Sequence, residues 1–350
     1  MGCTRAESAG RRVTTSYFDL SMGEQKEAMD AAANTSGRLS HLLEKDIWVV
    51  WALHQLFTAD FGSQLVFKGG TSLSKVHGAI RRFSEDVDVT WDIRHIIPDR
   101  IGRTGGEPLP PSSSQAKKWA EAIRERLPRC LSERLVPLLS EESERLGLRV
   151  EQMGDKVSIH YRRATDGRPY TEPRVQLEFG ARGTGEPWIE HHVVCDAADY
   201  LPEIGFPEAT VRAMEAERTF WEKATAAHIS CIQGTFRGTT HFARHWYDLV
   251  QLDACGVADR ALADRSLADA VATHKSLFFA EKGPNGAQID YREAVDGGLQ
   301  LVPVGGEAFD ALRADYDAMT DAGYLPEDAE SFEQLVSKCH ELTAKANRFS

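Results

Sequence analysis

The chain has 350 residues, 42% hydrophobic and 27% charged, an ordinary balance for a soluble globular protein and enough for two associated domains. Its formal net charge of −12 opposes non-specific binding to a polyanion, so a nucleic-acid substrate would need a local basic surface. The six cysteines are scattered without a C-x-x-C pair, which argues against a zinc site or disulfide framework and fits a reducing cytoplasm.

The first residues, "MGCTRAESAGRRVTTSYFDL", contain arginines but no apolar core, so no secretory leader is expected and the start "MGCTRA" reads as an untethered terminus. Residues 42–57, "LLEKDIWVVWALHQLF", predict a mostly buried helix, with an apolar run far too short to cross a bilayer. That helix leads into a short strand at Leu65, Val66 and Phe67. Gly69 and Gly70 follow as a tight turn, and Thr71 or Ser72 can cap a helix whose apolar face is Leu73, Val76, Ile80 and Phe83. "EDVDVTW" at 85–91 then alternates as a strand. Residues 98–115, rich in proline, glycine and serine, read as a loop, and 116–146 as one long helical stretch. "KVSIHYR" at 156–162 and "RVQLEFG" at 174–180 read as strands. From about residue 208 the pattern is helical nearly to the end, interrupted at 233–242 and 283–306, and no internal repeat is found. The expected organisation is an α/β (α+β) domain over 1–205, a mixed sheet flanked by helices, followed by a mostly helical domain over 206–350.

Chemistry concentrates in "LVFKGGTSLSKVHGAIRRFSEDVDV" at 65–89. A glycine turn opening a helix presents free backbone amides that can hold a phosphate. Two residues apart on a strand, Asp86 and Asp88 share the face opposite Val87 and Val89. Such a carboxylate pair suits magnesium carrying a nucleoside triphosphate. A glycine turn beside a solvated strand face is the plainer reading of either half alone; the ordered combination is what points to a nucleotide site. A P-loop is excluded because Lys68 precedes the glycines, and no G-x-G-x-x-G occurs. In "VQLEFGAR", Val175, Leu177 and Phe179 would face a core, which leaves Glu178 on the open face as either a third acid or an ordinary exposed glutamate. Arg81 with Arg82, Lys117 with Lys118, Arg162 with Arg163, and the 237–244 stretch are the basic segments, each read most simply as a solvated face. Neither His191 with His192 nor His241 with His245 has zinc-ligand context, and Ser84 reads as a turn residue open to modification.

"FKGGTSLSKVHGAIRRFSEDVDV" resembles the signature of the AbiEii/AbiGii toxins, nucleotidyltransferase-like proteins of type IV toxin–antitoxin and phage-defence systems within the DNA polymerase β-like superfamily. "LLEKDIWVVWAL", "ERTFWEKATAAH" and "RHWYDL" look like further segments of the same family, although the interval from Gly70 to Asp86 is longer than in many members of the wider superfamily. The resemblance implies a magnesium-dependent transfer of a nucleoside monophosphate from an NTP to an acceptor hydroxyl, expected at the 3′ end of tRNA, and so inhibition of translation. It implies Asp86 and Asp88 as metal ligands with Glu178 packed nearby, and Lys68, Gly69, Gly70, Thr71, Ser72 and Lys223 around the nucleotide. Asp248 matches a late family aspartate expected at the active site; from the residues alone, an Arg244–Asp248 surface pair remains the alternative. A cytoplasmic location, a cognate antitoxin and no membrane contact are likewise expected. The competing expectations are the same chemistry on a small molecule or a protein, or a nucleotide-binding regulator without turnover.

Overall fold

The structure is a computed structural model that describes residues 15–82, 84, 86–102, 105–166, 172–236 and 241–348. Phe83, residues 237–240 of the expected basic loop and the "MGCTRA" start lie outside the described residues. In chain order the strands are β1 (Thr15–Ser16), β2 (Leu65–Lys68), β3 (Asp86–Trp91), β4 (Arg149–Met153), β5 (Lys156–His160), β6 (Arg174–Gly180), β7 (Trp188–Val194), β8 (Ile204–Gly205) and β9 (Glu208–Met214). The first helices are α1 (Met22–Ser36), α2 (Ser40–Thr58), α3 (Gly69–Lys75), α4 (Ile93–Ile96), α5 (Pro98–Ile101), α6 (Ser113–Cys130) and α7 (Val136–Leu146). Then come α8 (Ala216–Gln233), α9 (Arg244–Ala254), α10 (Val257–Ala263), α11 (Arg265–Phe278), α12 (Gly306–Asp321) and α13 (Phe332–Ala346). The chain is a mixed α/β fold, helices flanking mixed β-structure, with a run of helices after β9.

These elements form two compact units, each assembled from separated stretches of the chain. The first comprises the chain up to Ser63, Leu131–Leu177 and Glu190–Val211. Its centre is α2, whose Ile47, Trp48, Val50, Trp51 and Leu53 are all buried. Trp48 stacks on Tyr161 with ring centroids 5.2 Å apart. β4 and β5 pair as an antiparallel hairpin from Arg149↔His160 to Met153↔Lys156, and the two-residue turn uses Gly154 at positive φ. The helix start "SMGE" supplies a capping box on α1, with Ser21 and Glu24 exchanging backbone bonds.

The second unit comprises Gln64–Cys130, Glu178–Ile189 and Arg212–Ser350. β2 lies antiparallel to β3, in the register Leu65↔Trp91 to Lys68↔Asp88, and parallel to β9 at Phe67↔Ala213. The Glu178–Gly180 end of β6 follows on the far side of β3. α8 through α13 pack around a core that includes Phe220, Trp221, Ala224, Tyr247, Leu249, Leu312 and Leu342, together with Leu73, Ala79 and Ile80. No described helix is long and apolar enough to cross a membrane.

Several local expectations change. The helix after the glycines stops at Lys75, because the chain turns at Gly78 (φ +57°) and returns Ile80 to the core from outside the helix. Lys68, not Thr71 or Ser72, is the N-cap of α3, and no side chain caps it. The stretch 116–146 is interrupted by Pro128 and a π-helical turn at Leu131–Leu135, where a missing amide loosens the ladder. Residues 208–214 form β9 rather than helix, with Ala209, Val211 and Ala213 buried in a period of two.

The first unit also buries an acid with purpose. Glu44, 1% exposed, accepts from Ala164 N at 2.7 Å, Thr165 N at 3.2 Å and Thr165 Oγ1 at 2.5 Å, and so pins the segment after β5 to α2. Glu44→Ala strands these donors; urea unfolding should show a loss of about 2–4 kcal/mol. A change within 0.5 kcal/mol would show that the segment is held by other contacts.

Candidate active site

Strand β3 alternates as the sequence requires. Val87 and Val89 are fully buried, while Asp86 and Asp88 take the other face and are half-buried. The cross-strand partner of Asp88 is Lys68, the last residue of β2, so their side chains leave the same face. Gly69 follows at φ +77°, and a Cβ built there would strike the Asp88 carboxylate. At Gly70 an added Cβ would meet Arg82 Nη2 at 2.5 Å and Ser84 Oγ at 2.8 Å. Each glycine therefore admits a charged side chain against the backbone, a closeness that no other residue allows. Thr71 Oγ1 donates to Asp86 O at 2.5 Å and ties the turn to the aspartate strand. Ser72 is 2% exposed, yet its Oγ has no hydrogen-bond partner.

α8 and α9 bring the second half. In α8, Phe220, Ala224 and Ala227 face the core as their spacing predicts; in α9, Tyr247, Leu249 and Val250 do so. Asp248 is completely buried, and its partner is not Arg244. Arg82 grips it with two bonds, Nε to Oδ1 at 2.6 Å and Nη2 to Oδ2 at 2.8 Å, while Lys223 Nζ reaches Oδ2 at 2.9 Å. Burial alone would raise the Asp248 pKa, but Arg82 and Lys223 hold it far below the usual carboxylate range. Lys223 is moved the other way: burial lowers it, Asp248 opposes this, and Arg82 and Arg244 add to the lowering. Burial likewise raises Asp88, opposed by Lys68 and Lys223 and reinforced by Glu178. Lys223, Lys68 and Glu178 are thus within electrostatic reach of one aspartate. His245, beside Arg244 on α9, is held well below the normal imidazole range by burial and by the charges of Lys223 and Arg244, and its Nδ1 is buried without a partner.

A neighbouring flank of α8 carries a second network. Lys68 lies 3.9 Å from Glu222, Glu222 lies 3.4 Å from Arg218, and Arg218 grips Glu107 at 2.9 and 3.0 Å. Burial would raise Glu222, but Lys68, Lys275 and Arg218 bring it down to about 2. On the same helix Arg218 and Lys223 are buried, and the surface pair is Glu217 with Arg260 at 2.6 Å.

All the sequence-predicted residues, Lys68, Gly69, Gly70, Thr71, Ser72, Asp86, Asp88, Glu178, Lys223 and Asp248, belong to the second unit. Asp86 and Asp88 offer hard oxygens on one strand face, beside the unpaired Ser72 hydroxyl of the turn. That donor set fits a hard divalent cation completed by phosphate oxygens. No cluster of three or more acids, histidines or cysteines at metal-binding spacing occurs among the described residues, His191, His192, His241 and His245 included. Asp248 has neither exposure nor a spare oxygen for a metal. α3 has seven residues, too few to act as the pole of a long helix, so the free amides here are those of the turn itself. Arg82 is the residue the sequence reading missed. By sequence it reads with Arg81 as a solvated basic face, yet of the two Arg81 alone is exposed, pairing with Asp328 at 2.7 Å.

Breaking the buried triad at one member leaves a charge without compensation. Asp248→Ala should therefore cost about 3–5 kcal/mol in urea unfolding, whereas the apolar triple replacement Arg82→Met, Lys223→Met and Asp248→Leu should recover most of that loss; equal losses for both variants would contradict the triad. Glu222 gives a pH signature. Its folded pKa, about 2, lies below its ordinary 4.5, so its contribution is complete above pH 4.5 and fades as pH falls towards 2. The stability gap between wild type and Glu222→Gln should close over that window, and a gap independent of pH would refute it.

Residues 51–338 match the family model described as nucleotidyl transferase AbiEii toxin, type IV TA system. Among solved structures, MenT4, a nucleotidyltransferase toxin from Mycobacterium tuberculosis H37Rv, is similar at 18% identity with a TM-score of 0.37, over 92% of this chain and 97% of its own. No curated protein matches the chain. The glycine turn, the paired aspartates and the α8 lysine all fall within the matched span, and the chain belongs to the AbiEii family of type IV nucleotidyltransferase toxins.

Proposed function

We propose that the chain transfers a nucleoside monophosphate from an NTP to the 3′-terminal hydroxyl of an RNA, with tRNA as the acceptor, and so blocks translation until a cognate antitoxin intervenes. The observation that carries this reading is the convergence on Asp88: Gly69 packs on it, Lys68 pairs across from it, and Lys223 from a distant helix lies within electrostatic reach.

The turn Gly69–Ser72 receives the outer phosphates through its amides and the Ser72 hydroxyl. Asp86 and Asp88 would hold magnesium, which supplies charge compensation between carboxylates and phosphate oxygens. Lys223 stands ready for the charge that develops on the leaving pyrophosphate as the acceptor oxygen attacks the α-phosphorus in line. Asp248 acts one step back. It cannot touch the substrate, so its work is to fix the ammonium, and Arg82 keeps it ionised in place. Glu178, on the open face of β6, adds negative charge beside Asp88 and steers the acceptor end. Catalysis on this account is positioning and electrostatics.

Incubation with α-labelled NTPs, magnesium and total RNA should put label on tRNA. Asp88→Asn and Lys223→Gln should each lower incorporation by at least about 10²-fold and relieve growth arrest on expression. Label on protein or on small molecules would overturn the RNA assignment. NTP binding without pyrophosphate release, unchanged in Asp88→Asn, would overturn catalysis itself.

A further inference from the structure

A chain of net charge −12 that acts on RNA must concentrate positive charge where the RNA lies. One such concentration continues outward from the site along the α8 flank. Glu222 is a single carboxylate felt by Lys68, Lys275 and Arg218. Beyond it, on the segment after α11, Phe279 is exposed at 37%, with Arg182 Cζ 4.7 Å and Lys275 Nζ 4.9 Å from its ring centroid. Two cations converge on one aromatic ring at the surface, a short step from Lys68 and hence from Asp88.

The arrangement is built, not incidental. Arg182 O accepts from His274 Nε2 at 2.7 Å, which fixes the turn after β6 against α11. At Gly183 an added Cβ would meet Glu107 Oε1 at 2.5 Å, and Gly183 O accepts from Ile93 N at 3.1 Å. The Arg218–Glu107 fork then holds the 105–112 loop to α8. Lys68, Arg218 and Lys275 gather on the one carboxylate of Glu222. Burial and its cationic neighbours lower the Lys275 pKa, a crowding that an incoming anion relieves.

We propose that Lys68, Arg182 and Lys275, gathered around Glu222 and Phe279, form a polyphosphate-backbone subsite that holds the 3′-terminal strand of the RNA acceptor beside the aspartate pair. It rests on the acceptor reading above. The Phe279 ring holds the two charged heads, Arg182 Cζ and Lys275 Nζ, side by side and part-buried, with the ring face already occupied by cations, so the ligand they suit is a flexible phosphodiester rather than a stacked base. A guanidinium forks onto phosphate oxygens, and two ammonium groups add point charge.

The test uses the full chain and a fluorescein-labelled single-stranded RNA 12-mer with a free 3′ hydroxyl, followed by anisotropy across a salt series. The variant is Arg182→Gln with Lys275→Gln. RNA affinity should fall about tenfold or more at 100 mM salt, and the slope of log affinity against log salt should become shallower by about 1 to 1.5, at about 0.7 per lost phosphate contact on a single strand. Affinity for a non-hydrolysable ATP analogue should stay within about twofold, because triphosphate contacts belong to the turn and Lys223. Arg182→Lys with Lys275→Arg keeps both charges and should keep the salt slope; if the neutral double variant fails to fold, Arg182→Gln alone should flatten the slope by about 0.7, and an unchanged slope would overturn the subsite. If wild type binds RNA and the neutral variant binds it equally well, this subsite is wrong while the acceptor reading stands. Loss of the ATP analogue instead of RNA would reassign the cations to the nucleotide and equally overturn the proposal. A wild type that binds and labels no RNA removes the acceptor reading and the subsite with it.

Discussion

The buried triad of Arg82, Asp248 and Lys223 is the constraint on which the rest of the site depends. Each member is taken out of water at a cost of several kcal/mol, and the cost is offset only if the geometry is right: two bonds from the guanidinium and one from the ammonium on a carboxylate with no exposure. The same geometry ties the glycine-turn segment, through Arg82, to α8 and α9. Arg82 also meets Gly70 from behind, so the residue that neutralises Asp248 limits what can stand in the turn. A hydrophobic trio would hold those elements at lower cost. What it would not leave is a fixed ammonium within electrostatic reach of Asp88. The expense is understandable if the ammonium has work to do.

Much of this could be read before any coordinates. Alternation in "DVDV" separates two valines from two aspartates on any strand, and the glycines announce a close approach whatever approaches them. Helical spacing in α8 and α9 gives their inward faces because packing follows periodicity. The failures share a cause. Arg82 follows Arg81 in sequence and looks like its twin; which of the two is buried depends on where Asp248 lies, 166 positions away. Ile80 fits the helical stripe by spacing, yet Gly78 ends the helix before it arrives. β9 was hidden because "EATVRAM" alternates with alanines, whose small side chains give a weak signal for either period. Local pattern is legible locally. Partners chosen across the chain are not.

Position in the charge network also separates residues that share a chemical type. Asp86, Asp88 and Asp248 were one set in the sequence, three carboxylates around a nucleotide. Exposure divides them. The first two stand half open on a strand face, whereas the third is sealed behind two cations. With both oxygens engaged and no access to solvent, Asp248 meets its surroundings through Arg82 and Lys223. Removing it would act on the amine first and on chemistry second.

The two flanks of α8 complete the logic. Residues 222 and 223 are adjacent, so they leave the helix about 100° apart, and they divide the positive charge between two tasks. Lys223 turns towards Asp248 and the site interior, held by a partner that fixes one orientation. Glu222 turns towards Lys68 and Lys275 and gathers cations nearer the surface. An acid in a basic cluster weakens its attraction for anions at long range, but it also keeps several like charges together in the absence of ligand. Without Glu222 the lysines would repel one another towards solvent; with it they stay assembled, and a phosphodiester entering the cluster finds the cations already in place. Preorganisation of this kind lets an acidic protein present a basic path over a few residues while the remainder of its surface repels nucleic acid.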